Sequence, residues 1–256
     1  MTRVAVLGAD GRMGSTSAAA IEATDDLEVV ARVDVGDELS AVTGADAEVA
    51  LVFSPPDVAP EQAEWLIGQG VHVVIGTSGF GEERVERLRE VAAQHEGVGV
   101  LVVPNFSIGA VLMMRFAAVA APFFESVEVI EMHHPGKVDA PSGTAVRTAE
   151  LIAQARAEAG SPAIPDATTH DPDGARGASV DGISVHAVRS RGYVASQEVL
   201  LGGEGEILAL RHDSSTRESF MPGVVAALRG VADRPGVTVG LDAVLGLDRP
   251  PAPGPR

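Results

Sequence analysis

The sequence predicts an α/β fold in two parts: an N-terminal domain on a parallel sheet with helices on both faces, and a smaller α+β domain with a mixed sheet. Two observations predict it. Up to residue 105, short apolar runs alternate with helical segments, which is the rhythm of an open parallel sheet. Beyond residue 105, a long apolar helix precedes segments in which polar and apolar residues alternate, as in antiparallel or mixed sheets.

Five apolar runs in the first part predict buried strands, each ending at a glycine, proline or polar turn signal. These runs cover residues 4–7, 27–34, 47–54, 71–79 and 98–107. Helical periodicity, or residues that start and stop helices, predicts the helices between them. These helices cover residues 13–23, 60–70 and 82–95. Open parallel sheets bind ligands at the carboxyl ends of their strands, so the loops after these strands are candidate binding loops.

The second part of the chain combines helices with alternating strands. Helices are predicted at 107–124 and 143–160, the latter with Ser142 or Thr144 as its N-cap. Strands are predicted at 126–134 and, as a set of three, within 183–215. Residues 161–181 are rich in Pro, Asp and Gly, which predicts an exposed loop. A helix at 219–232 is expected to return to the first domain. Residues 248–256 contain too much proline to pack. We therefore expect one domain of residues 1–105 with 214–256, and a second of residues 106–213.

The charge and the composition exclude several classes of function. The formal net charge is −17 at pH 7, which argues against binding to nucleic acid or to an anionic membrane, because both need a positive protein surface. The chain has no cysteine, which excludes disulfides, zinc–thiolate sites and a cysteine nucleophile. No secretion signal opens the sequence and no apolar run reaches the length of a membrane span. We therefore expect a cytoplasmic protein.

A glycine-rich turn follows the first predicted strand and opens the first helix. Gly8, Gly11 and Gly14 are spaced as GxxGxxG, and glycine there permits a tight turn and close approach of backbone N–H groups to a pyrophosphate. Asp34 ends the second strand, where a carboxylate can accept hydrogen bonds from ribose hydroxyls. The alternative is a plain turn, but the strand–turn–helix context favours a Rossmann-like dinucleotide site. Asp34 would repel a 2′-phosphate, so we expect NADH to bind at least as well as NADPH, with Arg12 able to offset this in part.

Two later loops occupy the same place relative to their strands. Gly76-Thr77-Ser78-Gly79 follows the fourth strand, and Pro104-Asn105-Phe106 follows the fifth. Each loop alone could be only a turn. Because carboxyl ends of parallel strands meet at one edge of the sheet, these loops and the glycine-rich turn together predict a pocket that contacts the nicotinamide and its ribose.

The segment EMHHPGKVDAPSGTA, residues 131–145, contains the only lysine of the chain, Lys137, close to the tandem pair His133 and His134. Successive strand residues point to opposite faces, and no metal-binding spacing is present, so a shared metal ion is not expected. Ser142-Gly143-Thr144 begins a helix and can hold a carboxylate. Structural histidines and a surface lysine are the plain alternatives, but cationic groups converging in so acidic a chain favour a substrate with more than one carboxylate. His133 or Lys137 could donate a proton when a hydride reaches that substrate.

Five segments resemble the 4-hydroxy-tetrahydrodipicolinate reductase family, formerly called dihydrodipicolinate reductase. In chain order, they are GADGRMG, GTSGF, VPNFSIGAVLMMRFA, EMHHPGKVDAPSGTA and EVLLGGEGEILALRHDSSTRESFMPG. The resemblance implies a cytoplasmic homotetramer that uses NADH or NADPH to reduce a cyclic dicarboxylate in the diaminopimelate route to lysine. It also implies that the first domain binds the dinucleotide, and that the second binds the substrate and forms the oligomer.

The resemblance also implies roles for individual residues. His133 is implied as the general acid/base, and Lys137 as a proton donor and substrate contact. The implied carboxylate contacts are His134, Gly143 and Thr144, with Ser142 in the same turn. The implied cofactor contacts are Gly8, Ala9, Asp10, Gly11, Arg12, Met13, Asp34, Gly76, Thr77, Ser78, Val103, Pro104, Asn105 and Phe106.

The sequence departs from the family pattern at two places. Pro135-Gly136 lies between the tandem histidines and Lys137, where many relatives are more basic, and Ser196 stands where relatives often carry histidine. From the residues alone, two other functions stay open: another NAD(P)-dependent dehydrogenase, and a non-catalytic NAD-binding module. A semialdehyde dehydrogenase needs a cysteine nucleophile, which this chain lacks, and a binding module gives no reason for Lys137 beside the histidines.

Overall fold

A computed structural model describes residues 1–247 of the protein, so the proline-rich segment 248–256, predicted not to pack, lies outside the described residues. The described chain divides into two compact units. The first combines residues 1–108 with the described residues from 220 onward, and the second comprises residues 109–219. Among residues 1–247, every helix is too short or too polar to traverse a bilayer.

Strands and helices are numbered separately in chain order. The strands are β1 (Thr2–Leu7), β2 (Leu27–Val33), β3 (Val49–Val52), β4 (His72–Ile75), β5 (Gly99–Val102), β6 (Ser126–His133), β7 (Ala178–Val180), β8 (Ile183–Arg189), β9 (Ala195–Gly203), β10 (Glu206–Ser214) and β11 (Gly236–Val239). The helices are α1 (Arg12–Glu22), α2 (Ser40–Gly44), α3 (Ala59–Gly68), α4 (Glu82–Ala92), α5 (Ile108–Ala120), α6 (Gly143–Glu158) and α7 (Met221–Gly230). Short 3₁₀ turns follow α5 and precede α7.

The first unit is built on a six-stranded sheet with the order β11-β5-β4-β3-β1-β2. All of its strand pairs are parallel, which confirms the predicted Rossmann-like sheet. Every residue of β3 and of β5 is buried, because helices cover both faces of such a sheet. Helices α3 and α4 pack together against it, and α1 packs against α7. Their aliphatic side chains fill the core in the near absence of large aromatic residues.

The second unit is built on a five-stranded sheet with the order β10-β9-β6-β8-β7. Strands β6 and β8 are parallel and the other pairs are antiparallel, which confirms the predicted mixed sheet. One face is covered by α6, whose buried residues pack against alternate residues of β6, including Val127 and Val129. This alternation places residue 131 on the same covered face, two positions before the strand ends.

Three elements were absent from the sequence prediction. Helix α2 and strand β11 are each too short for a periodic pattern to emerge. Strand β7 lies inside the segment 161–181, which was predicted to be a loop throughout; that prediction is wrong for residues 178–180. In addition, β4 and β5 end at Ile75 and Val102, earlier than predicted, so the residues after them form the loops that matter for the site.

Candidate active site

The residues predicted to bind the cofactor lie in loops at one edge of the parallel sheet. These loops follow β1, β2, β4 and β5. In the sheet order β2 and β5 are four strand positions apart, and neighbouring strands are about 4.8 Å apart, so the loops extend over roughly 19 Å. An edge of that length can hold an extended ligand such as a dinucleotide.

The glycine-rich turn brings the backbone close to itself and to β3. Gly8 has a φ angle of +72°, and a Cβ atom on it would lie 2.8 Å from the carbonyl carbon of Phe53. A Cβ atom on Gly14 would lie 2.1 Å from the Gly8 oxygen. Gly11 is the N-cap of α1, no side chain caps this helix, and its first turn holds no acidic residue. The start of α1 can therefore hold an anionic group, such as a pyrophosphate, without competition from a capping side chain.

Asp34 links the end of β2 to the glycine-rich turn. Its Oδ2 atom accepts a hydrogen bond from the Asp10 N–H at 2.7 Å, and its Oδ1 atom accepts one from the Val35 N–H at 2.8 Å. These two backbone bonds, first that from Asp10, hold the pKa of Asp34 below its ordinary value. An ionised carboxylate offers about four acceptor positions, so Asp34 keeps capacity for ribose hydroxyls after both bonds are made.

A cavity of about 260 Å³ lies beside Asp34 at the ends of β1, β2 and β3. It is mostly apolar, as expected for a pocket that holds a base and its sugar. Residues at positions that the sequence analysis did not single out complete its walls. Those residues are Val33, Val35, Gly36, Asp37, Ser54, Pro55, Val58 and Gln62.

Two aromatic rings close the sheet edge around Gly76. The rings of Phe53 and Phe106 pack edge to face with centroids 5.8 Å apart. A Cβ atom on Gly76 would lie 2.2 Å from Phe53 Cε1 and 2.6 Å from Phe106 Cε2. Glycine at position 76 therefore lets the rings meet. Phe53 was missed in the sequence because it was read as part of the third strand, although it is the first residue beyond β3.

The other predicted residues of these loops differ in accessibility. Thr77 is buried and its hydroxyl donates to the Ser54 carbonyl at 2.8 Å, so it ties the loop after β4 to the end of β3. Val103 is also buried and its N–H donates to the Ile75 carbonyl at 2.8 Å. Ser78 and Pro104 are exposed. Thr77 and Val103 therefore shape the loops, whereas the exposed residues can contact a ligand.

In the second unit, His133 is the last residue of β6 and is fixed by a buried carboxylate. Its Nδ1 atom lies 2.6 Å from Glu131 Oε2, and the Glu131 side chain is fully buried. Burial lowers the pKa of His133 below its ordinary value, while the Glu131 carboxylate opposes that effect in part and Lys137 and Arg189 reinforce it. Sequence reasoning missed Glu131 and Arg189, although a charged residue at a covered position of β6 requires partners.

The Glu131 carboxylate is bound by four donors. Arg189 Nη2 and the Ser142 N–H donate to Oε1 at 2.8 and 3.0 Å, and Arg189 Nη1 and His133 Nδ1 lie 2.7 and 2.6 Å from Oε2. Burial alone would raise the pKa of Glu131, but the hydrogen bonds from Arg189 and His133 outweigh it and leave the pKa below its ordinary value. Glu131 is therefore ionised at neutral pH and fully satisfied by its neighbours.

Lys137 lies in the loop between β6 and α6 and is partly covered. Its side chain is 23 % exposed, and its Nζ atom donates to Asp139 Oδ1 at 2.7 Å. The hydrogen bond from Lys137, with help from the Gly143 N–H, holds the pKa of Asp139 below its ordinary value. An ammonium group has three donor positions, so Lys137 can bind a further anion while it keeps Asp139.

The remaining predicted substrate residues surround this loop. His134 is exposed, and its carbonyl accepts the Lys137 N–H at 3.1 Å, so the chain turns directly after β6. Ser142 is the N-cap of α6: it is only 2 % exposed, and its hydroxyl accepts the Ala145 N–H at 3.3 Å. Gly143 is exposed and Thr144 is half-buried. The accessible part of the helix start is therefore Gly143 and Thr144, while Ser142 stabilises the helix.

Comparisons with known proteins agree along almost the whole chain. Residues 2–106 match the family model of the dihydrodipicolinate reductase N-terminus, and residues 109–245 match that of the C-terminus. The 4-hydroxy-tetrahydrodipicolinate reductase of Streptomyces coelicolor is 55 % identical to this chain, over 96 % of this chain and 98 % of the relative. That of Nocardia farcinica is 56 % identical, over 96 % of this chain and 99 % of the relative.

Solved structures give the same result. The dipicolinate-bound dihydrodipicolinate reductase of Paenisporosarcina sp. TG-14 superposes with a TM-score of 0.82 at 38 % identity, covering 95 % of this chain and 99 % of that one. A probable dehydrogenase of Thermotoga maritima, with a TM-score of 0.59 at 14 % identity over 96 % of this chain and 93 % of that one, shares the fold alone. The resemblance stated from the motifs is thus confirmed, and the chain belongs to the dihydrodipicolinate (4-hydroxy-tetrahydrodipicolinate) reductase family, the NAD(P)H-dependent oxidoreductases of diaminopimelate and lysine biosynthesis.

Proposed function

We propose that His133 and Lys137 carry out the proton transfer and substrate contact in the reduction of 4-hydroxy-tetrahydrodipicolinate by this enzyme. The substrate is a cyclic imine with two carboxylates. Its 4-hydroxyl group leaves as water, ring carbon 4 receives a hydride, and the adjacent carbon receives a proton, which gives tetrahydrodipicolinate. The single observation that carries the proposal is the placement of His133, fixed by a buried carboxylate, at the end of β6 beside the loop that holds Lys137.

The protein's part in this reaction is to hold the dianion and to deliver the proton. Lys137, His134 and the start of α6 at Gly143 and Thr144 bind and orient the two carboxylates, which is a proximity effect. His133, with Nδ1 held by Glu131, delivers the proton from Nε2. Dipicolinate, the compound bound in the Paenisporosarcina structure, is a ring dicarboxylate, which supports a dicarboxylate site in this chain.

The cofactor is NADH or NADPH, and when bound it supplies the hydride. We propose that the compact unit of residues 1–108 with those from 220 onward holds it, and that the unit of residues 109–219 holds the substrate. The glycine-rich turn would bind the pyrophosphate, Asp34 the adenosine ribose, and the loops after β4 and β5 the nicotinamide end. Two features support binding of the dinucleotide here: the start of α1 has no capping side chain, and Asp34 keeps acceptor positions after its two backbone bonds.

A coupled assay tests the proposed function. The substrate is generated freshly in the cuvette, and oxidation of NADH or NADPH is followed by absorbance. We expect oxidation that depends on both the enzyme and the substrate, with tetrahydrodipicolinate as the product. Tight binding of NADH without turnover would instead favour a non-catalytic NAD-binding module.

Cofactor choice is expected to depend on Asp34. Replacing Asp34 with alanine removes a charged acceptor for the ribose hydroxyls, and hydrogen bonds to charged groups contribute about 1.5–3 kcal/mol, so NADH affinity should fall by roughly 10- to 100-fold. NADPH affinity should fall less or rise, because repulsion of the 2′-phosphate is also removed. Calorimetric titration of both cofactors checks this.

The matched control for Asp34 is Glu38→Gln. Glu38 is exposed four residues later, and its substitution removes one negative charge without touching the cavity walls. Both cofactor affinities should stay close to those of the unmodified protein. Equal losses of NADH and NADPH affinity in Asp34→Ala would show that Asp34 only stabilises the turn through Asp10 and Val35.

We also propose that the enzyme is a cytoplasmic homotetramer that binds neither nucleic acid nor membranes. The net charge of −17 and the biosynthetic relatives support the location and the absence of such partners. The second unit is proposed to form the assembly, because β10 is an edge strand that leaves Ile207 74 % exposed. An exposed apolar edge strand offers unpaired backbone groups and apolar surface on which another chain can pair.

Ile207→Asp is expected to shift the oligomer toward smaller species, because it places a charge on this edge. Size-exclusion chromatography with light scattering measures the mass of the unmodified protein and of the variant. Glu204→Gln, in the exposed turn before β10, is the control and should leave the mass unchanged. A tetramer that persists in Ile207→Asp would exclude this edge from the assembly.

A further inference from the structure

We propose that Glu131 and Arg189 form a positioning pair that fixes the ring of His133 and the loop that carries Lys137. This inference rests on the proposed function, in which His133 and Lys137 meet the substrate. Neither Glu131 nor Arg189 is placed among the residues that touch substrate, and their effect is exerted through the two side chains that do.

The geometry around Glu131 leaves it one role. The carboxylate is fully buried, and each of its oxygens receives two donors. A carboxylate in this state has no acceptor position left for a ligand. Burying a charge without partners is costly, and here Arg189 supplies a bidentate pair, the strongest form of such a contact. Glu131 is therefore built to hold His133 and the start of α6 and not to bind a substrate.

The bond from His133 to Glu131 selects the working nitrogen of the ring. An ionised carboxylate can only accept hydrogen bonds, so Nδ1 of His133 carries a hydrogen whether the ring is neutral or charged. Proton exchange is thereby assigned to Nε2, and the carboxylate stabilises the imidazolium from which the proton is given. This is how a buried carboxylate orients a catalytic histidine in other enzymes.

Arg189 extends the same control to the loop. It is the last residue of β8 and lies opposite His133 in the parallel pairing of β6 with β8. Besides both oxygens of Glu131, its Nη2 atom donates to the Asp139 carbonyl at 2.6 Å. Asp139 in turn binds the Lys137 ammonium through its carboxylate. One guanidinium thus ties the strand end that carries His133 to the loop segment that holds Lys137.

Three charged groups shift the pKa of His133, and they lie on β6, on β8 and in the loop after β6. Glu131 on β6 favours the imidazolium, while Arg189 on β8 and Lys137 in the loop disfavour it. Removing the charge of Glu131 leaves two cations without their balance, so the pKa of His133 must fall. Less of the ring is then protonated at neutral pH, and the high-pH limb of kcat/KM moves to lower pH.

Glu131→Gln is the direct test, in the full-length enzyme. The amide keeps the shape but loses the charge and two acceptor positions. The pKa and tautomer of His133 are measured by NMR on imidazole-labelled protein, with the His133→Gln variant assigning its signal. We expect a lower His133 pKa, a loss of about 10- to 100-fold in kcat near neutral pH, the range found when the hydrogen-bond partner of a metal-bound histidine is removed, and a smaller change in KM.

The matched control is Glu128→Gln on the same strand. Glu128 also binds an arginine and a histidine: Arg176 pairs with its Oε1 atom, and His186 Nε2 lies 2.6 Å from its Oε2 atom. These contacts do not include His133. Its loss should leave the His133 pKa and the pH profile unchanged, even where thermal stability falls. A merely structural role for Glu131 would give the same result as this control.

Arg189→Lys provides a second variant should Glu131→Gln fail to fold, because it keeps a cation beside the buried carboxylate. A single ammonium cannot span both oxygens of Glu131 and the Asp139 carbonyl. We expect kcat to fall in Arg189→Lys and to fall further in Arg189→Gln, which also removes a cation that disfavours the imidazolium and should raise the pKa of His133. A His133 pKa and pH profile that stay unchanged in Glu131→Gln, or in Arg189→Gln where Glu131→Gln does not fold, would overturn the inference, whatever the activity of His133→Gln. A lowered His133 pKa together with full turnover in His133→Gln would support the pair but overturn the proposed acid.

Discussion

His133→Gln is expected to lower kcat by about 10²- to 10⁴-fold, the usual contribution of a positioned general acid or base. The amide of glutamine can still donate to Glu131 in place of Nδ1–H, so the strand end keeps its structure. The variant has no proton to give, however, and KM should change little. Steady-state kinetics with freshly generated substrate and NADH measure both quantities.

The pH profile separates lost acid chemistry from lost structure. In the unmodified enzyme kcat/KM should decline as pH rises through the pKa of His133, because the protonated ring is the acid. Burial lowers that pKa below its ordinary value, so the decline begins at a lower pH than for an exposed histidine. His133→Gln should lose this limb. Turnover at the unmodified rate, with the limb intact, would remove His133 from the mechanism.

His134→Gln serves as the comparison for this prediction. His134 is exposed and lies beyond the end of β6, and its proposed role is to contact a carboxylate. Its substitution should raise KM and leave the shape of the pH profile as it was. If the two histidine variants exchanged these behaviours, the acid role would belong to His134.

The position of the proposed cofactor loops at one edge of the sheet could be predicted from sequence because the signals for these loops are local. Gly8 and Gly11 lie in the turn between β1 and α1 and Gly14 lies in the first turn of that helix, and the chain order of strands and helices is enough to place the later loops at the same edge. Phe53 escaped prediction for a related reason. A strand that is apolar throughout gives no mark of where it ends, so the first loop residue looks like one more buried position.

Glu131 and Arg189 show the limit of local signals. Glu131 stands at a position that alternates in phase with the buried Val127 and Val129, which marks it as a charge that needs a partner. The partner lies 58 residues away on β8, and only the pairing of β6 with β8 brings it opposite His133. Strand register across a long, irregular segment cannot be read from the residues of one strand, so the pair could not be named.

Short elements set a second limit. Strand β11 has four residues and joins the parallel sheet only through β5, and β7 has three residues within a stretch rich in Pro, Asp and Gly. Neither segment is long enough for a period of two to be distinguished from chance. Their formation is decided by the neighbouring strand, which supplies the hydrogen bonds, rather than by their own residues.

Lys137→Ala is expected to lower kcat/KM strongly, through both of its components. The ammonium is the only lysine charge in the chain, and after its bond to Asp139 it keeps two donor positions for a substrate carboxylate. A charged hydrogen bond contributes about 1.5–3 kcal/mol, so KM should rise by roughly 10- to 100-fold. A fall in kcat should accompany it, because orientation and a proton donor are lost together. Steady-state kinetics over a wide substrate range separate the two.

Lys137→Arg divides the two roles, since it keeps the charge while a guanidinium does not give up its proton at any working pH. Binding through charge should therefore recover in large part, and any contribution of Lys137 as a proton donor should stay lost. Recovery of both KM and kcat would mean that Lys137 acts by charge alone and that His133 is the sole acid. Unchanged kinetics in Lys137→Ala would contradict the site itself, because in a chain of net charge −17 a dianionic substrate needs a local cation to approach His133 at all.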